Sequence, residues 1–245
     1  MPYSKYKIAL FLGAALCAAG AQALQITSLS PQGEVARVRQ VVAKFDTAAV
    51  TFGDPKAPAP VALSCSDAQA TKGTGRWTSE KEWVFDFEND LPPGISCTLQ
   101  PKSAFKSPSG AELKGASSYQ FNTGGPFVQA VRPGTYQRID EEQFFILQFN
   151  GPATLGSVQA NVWCAAEGLG ERVPVRLLDG ADRAALLQSY GLDKTAAKEP
   201  LRYATLACNR RLTPDSKVQL VFGKGVSTPS GVPSSVENRV TYRVR

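Results

Sequence analysis

Histidine is absent from the sequence, and the only methionine is Met1. Without imidazole there is no Ser-His or Cys-His catalytic pair, no H-E-x-x-H zinc motif and no side chain suited to proton transfer near neutral pH. Cysteine is also scarce, with five residues and no C-x-x-C pair, so a zinc site would have almost no ligands. These absences predict that the chain is not an enzyme: it is expected to have no catalytic residue, no cofactor and no metal site.

Long hydrophobic runs are missing too, except for a short one near the amino terminus. It follows Lys5 and Lys7 and is followed by small residues that end at Ala23. This three-part pattern predicts a signal peptide over residues 1–23, cleaved between Ala23 and Leu24. About 12 apolar residues are fewer than the roughly 20 that a membrane-spanning helix needs.

A lipoprotein anchored through Cys17 is a further alternative, but bulky Leu16 stands where a small residue is expected. We therefore predict an exported protein, periplasmic or secreted to the cell surface, with no membrane span after cleavage. Its net charge of +6 falls to +4 when the two lysines of the signal are removed. The remaining basic residues are scattered among acids, so no nucleic-acid partner is expected.

Beyond the signal, short strands alternate with turns. Residues 35–45 (VARVRQVVAKF) and 83–87 (WVFDF) alternate apolar and polar side chains, as half-buried strands do. The 17 prolines and 21 glycines punctuate the chain at the spacing of an antiparallel β-sandwich. The fold class is therefore predicted to be all-β.

The segment 122–126 (NTGGP) is the best candidate for a linker, and strand patterns resume after it, including one over residues 157–164. We predict a first β-sandwich domain over residues 24–126 and a second over residues 127–245. Residues 182–190 (DRAALLQSY) have helical spacing instead, which predicts a short helical insert in the second domain.

An internal repeat supports two similar domains. At an offset of 121, residues 91–99 (LPPGISCTL) match 212–220 (LTPDSKVQL), and 107–110 (SPSG) match 228–231 (TPSG). Upstream of these segments the offset changes to about 104, which predicts longer connections in the second domain.

Four cysteines remain after signal removal, and an even number in an exported chain favours two disulfides. One bond within each domain is the simplest pairing, Cys65–Cys97 and Cys164–Cys208. Two other connectivities remain possible. The repeat aligns Cys97 with Val218 and Cys208 with Phe87, so the two bonds are not at equivalent positions.

Several residues have a weak chemical signal that a structural role explains better. The pairs Glu80/Glu82 and Glu141/Glu142 lie in polar, turn-like stretches and are expected to be solvated. Residues 73–75 (GTG) could bind phosphate only ahead of a helix, and a strand follows instead. The three tryptophans, Trp77, Trp83 and Trp163, are expected to pack in cores rather than bind a ligand.

Seven segments together resemble the N-terminal region of bacterial alpha-2-macroglobulin family proteins: 30–35 (SPQGEV), 75–77 (GRW), 83–87 (WVFDF), 91–94 (LPPG), 121–126 (FNTGGP), 140–144 (DEEQF) and 171–175 (ERVPV). The resemblance covers the predicted mature chain. It implies tandem Ig-like, or macroglobulin-like, antiparallel β-sandwiches that belong to a protease trap. In such traps a bait segment is cleaved, and many members bind the protease covalently through a C-x-E-Q thioester.

The family's reactive parts are missing from this sequence. Asp140 stands where the thioester cysteine would be, before Glu142 and Gln143, and none of the four cysteines precedes x-E-Q. The resemblance therefore implies N-terminal scaffold domains of a protease inhibitor, whose partners are neighbouring domains and, through domains absent here, proteases. The alternative is a standalone periplasmic or cell-surface Ig-like adhesion or binding module.

Overall fold

The computed structural model describes residues 23–167, 170 and 172–245. The predicted signal peptide lies outside these residues except for Ala23. Leu24, on the other side of the predicted cleavage site, begins the first strand and is fully buried. Within the described residues, no helix has both the length and the apolar character needed to cross a membrane.

The first domain is a sandwich of two sheets. Its strands are β1 (Leu24–Ser30), β2 (Gly33–Glu34), β3 (Gln40–Phe45), β4 (Val61–Cys65), β5 (Gly73–Ser79), β6 (Glu82–Phe87), β7 (Ser96–Pro101), β8 (Leu113–Lys114) and β9 (Tyr119–Asn122). One sheet has the order β5-β6-β3-β1-β8, and the other has the order β2-β9-β7-β4. A short 3₁₀ helix, Ala68–Thr71, lies between β4 and β5, and a second one, Pro200–Arg202, lies in the second domain.

The second domain is built in the same way, with eight strands among its described residues. They are β10 (Val128–Arg132), β11 (Arg138–Ile139), β12 (Phe144–Phe149), β13 (Val162–Ala166), β14 (Arg172–Leu177), β15 (Tyr203–Cys208), β16 (Lys217–Phe222) and β17 (Asn238–Val244). The sheet order is β10-β12-β15-β14-β13-β16-β17-β11. Because β14 pairs with both β13 and β15, the two layers are joined into one curled sheet.

The two domains share one strand order. The layer β5-β6-β3-β1 corresponds to β14-β15-β12-β10, and β2-β9-β7-β4 corresponds to β11-β17-β16-β13. This is the division of strands found in Ig constant-type sandwiches. The chain is therefore all-β, with two tandem Ig-like antiparallel sandwiches and a helical insert in the second, which confirms the predicted fold class.

The part of the second domain that the structure describes has three α-helices: α1 (Leu155–Asn161), α2 (Gly180–Ser189) and α3 (Asp193–Lys198). Helix α2 lies where residues 182–190 predict one. The strand predicted over residues 157–164 is wrong in its first half, because α1 occupies it before β13 begins. Val158 is the buried residue of α1, and the Thr154 side chain accepts a hydrogen bond from the Ser157 N–H at the helix start.

The helical insert covers an apolar sheet face. Ile146 on β12 and Tyr203 on β15 point away from the main core and form a second cluster with Leu187 of α2 and Ala196 of α3. Leaving these four side chains exposed would cost about 1.5–3 kcal/mol for each large one. The longer connection that the repeat predicts for the second domain contains α2 and α3, and these helices cover the apolar face.

The equivalent face of the first domain is polar and has no helical cover. The Asp86 carboxylate on β6 accepts hydrogen bonds from Gln40 Nε2 at 2.6 Å and from Arg76 Nε at 2.8 Å. These hydrogen bonds hold the pKa of Asp86 below its ordinary value. A sheet face covered by hydrogen-bonded polar side chains can face water directly.

Each domain contains one disulfide. Cys65 and Cys97 lie opposite each other on the neighbouring strands β4 and β7. Cys164 and Cys208 join β13 to β15, which lie in different layers of the second sandwich. The chain is thus disulfide-bonded, and the two bonds play different structural roles.

Tyr242 on β17 is a testable part of the second core. It is 2% exposed, and its hydroxyl donates to the Pro133 carbonyl at 2.9 Å. We expect Tyr242→Phe to lower the free energy of unfolding by about 1–2 kcal/mol, because a buried carbonyl loses its donor. Chemical denaturation measures this loss, and a change below about 0.5 kcal/mol would contradict the assignment.

The same hydroxyl gives a pH dependence. Burial raises the pKa of Tyr242 above its ordinary value of 10.0, so the folded state favours the protonated phenol. Its contribution is complete below pH 10 and is lost as pH rises toward the folded pKa. The difference in the free energy of unfolding between the wild type and Tyr242→Phe should therefore shrink as the pH rises above 10.

Candidate functional site

The residues with weak chemical signals occupy structural positions. Glu141 pairs with Arg211, and Glu82 accepts a hydrogen bond from the Thr78 hydroxyl at 2.7 Å. The Thr78 hydrogen bond, together with Lys44, lowers the pKa of Glu82 below its ordinary value. Among the described residues there is no group of three or more side chains placed to bind a metal ion.

The glycines of segment 73–75 lie over aromatic rings. A Cβ on Gly73 would stand 2.7 Å from the Phe85 ring, and one on Gly75 would stand 2.7 Å from the Trp83 ring. Both glycines lie in strand β5. The segment therefore lets large core side chains pack against the backbone.

Trp77 and Trp83 pack in the core of the first domain, but the prediction is wrong for Trp163, which is half-buried and belongs to no core cluster. Trp83 is 3% exposed. Trp77 packs between Phe45 and Phe105, with ring centroids 5.5 and 6.1 Å away. The Trp163 ring lies 4.0 Å from the Arg172 guanidinium, as in a cation–π contact.

The most distinctive site is the junction between the two domains, where the turn 91–94 (LPPG) contacts the second domain. Gly94 has a φ of 84°, and a Cβ added to it would lie 2.7 Å from Thr228 Cγ2. The Gly94 carbonyl accepts a hydrogen bond from Ser230 Oγ at 2.9 Å. The turn therefore fits closely against a single loop of the neighbouring domain.

That loop is the second copy of the sequence repeat. In residues 228–231 the Thr228 N–H donates to the Val232 carbonyl at 3.0 Å, and the Gly231 N–H donates to Thr228 at 2.9 Å. The first copy, residues 107–110, makes the same two bonds from Ser107 and Gly110. The repeated turn is structural in both domains, and its second copy also contacts the first domain.

The linker is held from both sides. In the first domain Thr123 Oγ1 donates to the Pro92 carbonyl at 2.7 Å and accepts from the Ile95 N–H at 2.8 Å. In the second domain the Gly125 backbone lies against Pro233, since a Cβ on Gly125 would stand 2.2 Å from the Pro233 carbonyl carbon. The linker thus has no room for a side chain at its centre.

The contact at Gly94 gives a controlled prediction. Gly94→Ala should lower the free energy of unfolding by more than Gly110→Ala, because both positions have φ near 80° but only Gly94 faces a neighbour. The backbone strain, about 1–2 kcal/mol, is common to both variants. Thr228→Ser removes the colliding methyl group, so it should recover the excess loss in the double variant. Equal losses at the two glycines, measured by chemical denaturation, would contradict this contact.

A groove of about 570 Å³ lies beside the junction. Three segments line most of it: residues 34–37 of the first domain, the linker with the start of β10 (123–128), and residues 234–238 before β17. Phe127 and Val236 contribute apolar side chains that are 56% and 65% exposed. Its volume lies within the range typical of ligand-binding clefts.

The charged groups of the groove differ in their pairing. Glu34 Oε1 accepts a hydrogen bond from Ser235 Oγ at 2.8 Å, and Glu237 Oε1 accepts one from Arg239 Nη2 at 2.7 Å. Arg37 has no hydrogen bond or ion pair to any residue that the structure describes, and its φ of 57° is unusual for a residue with a side chain. Among the described lining residues, Arg37 is therefore the cation of this groove without a partner.

Sequence reasoning identified the linker and the repeated turn but not the site that they form. Gly94 and Thr228 are far apart in the chain, and no local pattern indicates that they meet. The match of residues 91–94 with 212–215 indicates a turn at both places. In the structure Asp215, which matches Gly94, also has a positive φ, of 57°. That match marks a shared turn and does not reveal which copy contacts another domain.

No protein-family model matches this chain, and no curated protein matches it. Among solved structures, an L,D-transpeptidase from Mycobacterium smegmatis is 15% identical, with 86% of this chain and 79% of that chain covered and a TM-score of 0.30. An L,D-transpeptidase from Mycobacterium tuberculosis H37Rv is 15% identical, with 65% and 76% covered and a TM-score of 0.27. The N-terminal part of the bacterial S-layer protein SbsC is 10% identical, with 92% and 45% covered and a TM-score of 0.27.

These comparisons correct one prediction. Two of the three proteins are enzymes, which contradicts the prediction from the missing histidine that this chain is not an enzyme, and that prediction is withdrawn. At TM-scores of 0.30 and below, the similarities assign no reaction, substrate or site residue to this chain. The chain is thus similar to two L,D-transpeptidases and to a surface-layer protein.

Proposed function

We propose that this chain forms the N-terminal scaffold domains of a bacterial alpha-2-macroglobulin-like protease inhibitor. The ordered motifs of the sequence support this proposal, and the observation that carries it is the close-fitting junction. A turn, a linker and a loop contact one another with no space for a Cβ at Gly125. Two sandwiches joined in this way form a fixed base on which other domains of a trap can move.

The proposed partners follow from this role. Neighbouring domains of the same protein would contact the scaffold directly, and proteases would be bound through those domains. The two disulfides suit an oxidising compartment, so we place the protein in the periplasm or at the cell surface. No contact with nucleic acid or with a membrane is proposed.

One observation favours a second function. The groove beside the junction exposes Phe127 and Val236, and its lining includes Arg37, which has no partner among the described residues. Exposed apolar side chains grouped in a groove are typical of an interaction site. A periplasmic or cell-surface binding module is therefore the alternative.

An antibody raised against the purified chain can separate the two functions. On extracts of producing cells, the inhibitor proposal predicts a polypeptide much larger than the 26.2 kDa of this chain. After chymotrypsin is added, that polypeptide should move into a larger complex that contains the protease. A polypeptide of about the chain's own mass that does not associate with chymotrypsin would contradict the proposal and favour the binding module.

A further inference from the structure

We infer that a basic recess on the second domain binds a linear acidic polysaccharide whose sugars carry carboxylates. The recess has a volume of about 330 Å³ and is lined by residues 135–137 and by side chains of β11, β16 and β17. This activity goes beyond the scaffold role and does not depend on it. Two features of the lining lead to it: a row of three cations and a fully exposed tyrosine.

The three cations stand side by side across three neighbouring strands. Arg243 on β17 lies opposite Lys217 on β16 and opposite Arg138 on β11. All three are exposed, whereas the residue that follows each of them in its strand belongs to the core. Because side chains alternate along a strand, the three cations project from the outer face of the sheet, in a row about 10 Å long.

The chain neutralises little of this charge. Arg138 Nη2 lies 3.8 Å from Asp215 Oδ1 in an exposed pair, and the side chains of Lys217 and Arg243 have no partner among the described residues. Glu167 continues the row beside Lys217, but its carboxylate forms no ion pair with a described residue. The described lining of the recess itself contains no carboxylate. Like charges opposite each other destabilise paired strands, so an external anion over the row would relieve this repulsion.

The rest of the lining suits a sugar. Tyr136 is fully exposed, and Thr135, Gln137 and Thr241 add hydroxyl and amide groups. An aromatic ring can pack on the apolar face of a sugar ring, and hydroxyl and amide groups can exchange hydrogen bonds with sugar hydroxyls. The described lining has no aliphatic side chain, so it offers nothing to the apolar residues of an acidic peptide. Carboxylates of successive sugars then lie along the cation row in charge-assisted hydrogen bonds.

Fluorescence anisotropy with labelled hexagalacturonate tests the inference on the purified, oxidised chain. The matched ligand is the same hexamer with its carboxylates methyl-esterified. We expect saturable binding of the acidic hexamer and binding of the ester that is weaker by about tenfold or more, the effect of one charged hydrogen bond. Binding of the acidic hexamer should weaken as salt is added. Hexaglutamate and hexathymidylate, which are anionic but offer no acidic sugar, should bind more weakly than hexagalacturonate.

Matched variants locate the site. Arg243→Gln removes the central cation of the row, and we expect about a tenfold loss of affinity. Its control is Arg39→Gln, because Arg39 is exposed and paired with Asp90 in the first domain. Tyr136→Ser should weaken binding about fivefold, whereas Tyr136→Phe keeps the aromatic ring and should bind as the wild type does.

Stability separates a binding role of the row from a structural one. Arg243→Gln relieves the repulsion between like charges, so its midpoint of urea denaturation should equal or exceed that of the wild type. A lower midpoint, or no binding of hexagalacturonate up to about 1 mM, overturns the inference. So does binding of the ester, hexaglutamate or hexathymidylate that is as tight as that of hexagalacturonate. Losses of affinity in Arg39→Gln or Tyr136→Phe as large as those in Arg243→Gln and Tyr136→Ser would overturn it too.

Discussion

Gly125→Ala is expected to separate the two domains. The added Cβ would stand 2.2 Å from the Pro233 carbonyl carbon and 2.3 Å from the Ser234 nitrogen. Both contacts are with backbone atoms, so no side-chain rotation can relieve them, and overpacking of this kind costs about 1–3 kcal/mol. The linker must therefore move away from Pro233. Small-angle X-ray scattering should show a larger radius of gyration, and a protease should cut the linker faster.

Gly134→Ala is the matched control for this variant. A Cβ on Gly134 has no neighbour within 4 Å, and neither glycine has a positive φ. The control should therefore keep the scattering curve and the cleavage rate of the wild type. If Gly125→Ala also keeps them, the close fit between the linker and Pro233 is wrong.

Removal of the Cys164–Cys208 disulfide is expected to give the largest loss of stability. The bond closes a separation of 44 residues, for which the chain-entropy model gives about 4 kcal/mol. Both cysteines also belong to the second core, with 0% and 9% exposure, so the double alanine variant leaves a cavity. Denaturation followed by circular dichroism should show a loss of about 4 kcal/mol or more in the second domain.

The Cys65–Cys97 pair provides the comparison. Its separation of 32 residues predicts almost the same entropic term. However, β4 and β7 are already paired over five residues, and Cys65 is half-buried at the edge of its sheet. We expect its removal to cost at least about 1 kcal/mol less than removal of the bond between layers. Equal losses in the free energy of unfolding would show that stability does not depend on where the disulfide lies, which would contradict this expectation.

Periodicity predicted several strands, although the strand predicted over residues 35–45 begins only at Gln40, and the linker and the repeat predicted two similar sandwiches. The alternation of residues 83–87 predicted β6, and the helical spacing of residues 182–190 predicted α2. The offset of 121 between residues 107–110 and 228–231 corresponds to two turns with the same hydrogen bonds. In each of these cases the predictive pattern lies within a few neighbouring residues, and those same residues adopt the predicted backbone conformation.

The elements that were missed depend on contacts that are distant in the sequence. Helix α1 replaced the first half of a predicted strand because Val158 and Val162 fit either period over so short a segment. The outer face that α3 covers is apolar through Ile146 and Tyr203, which are far apart in the chain.

The candidate site was beyond sequence reasoning for the same reason. Gly125 reads as an ordinary linker glycine, and only the packing against Pro233 shows why a side chain is excluded there. The left-handed backbone of Arg37 likewise has no local sequence signature. A groove between two domains depends on their relative orientation, which strand patterns do not specify.

The central claim is that the two sandwiches are held at one fixed angle. Double electron–electron resonance tests it directly, with spin labels on Lys56→Cys in the first domain and Lys194→Cys in the second, both exposed positions. Cys17, which lies outside the described residues, is replaced by serine, and the four cysteines among the described residues are disulfide-bonded, so the labels attach at the new sites. The account predicts a single narrow distance distribution that broadens in Gly125→Ala. A broad distribution in the otherwise unaltered chain would contradict it.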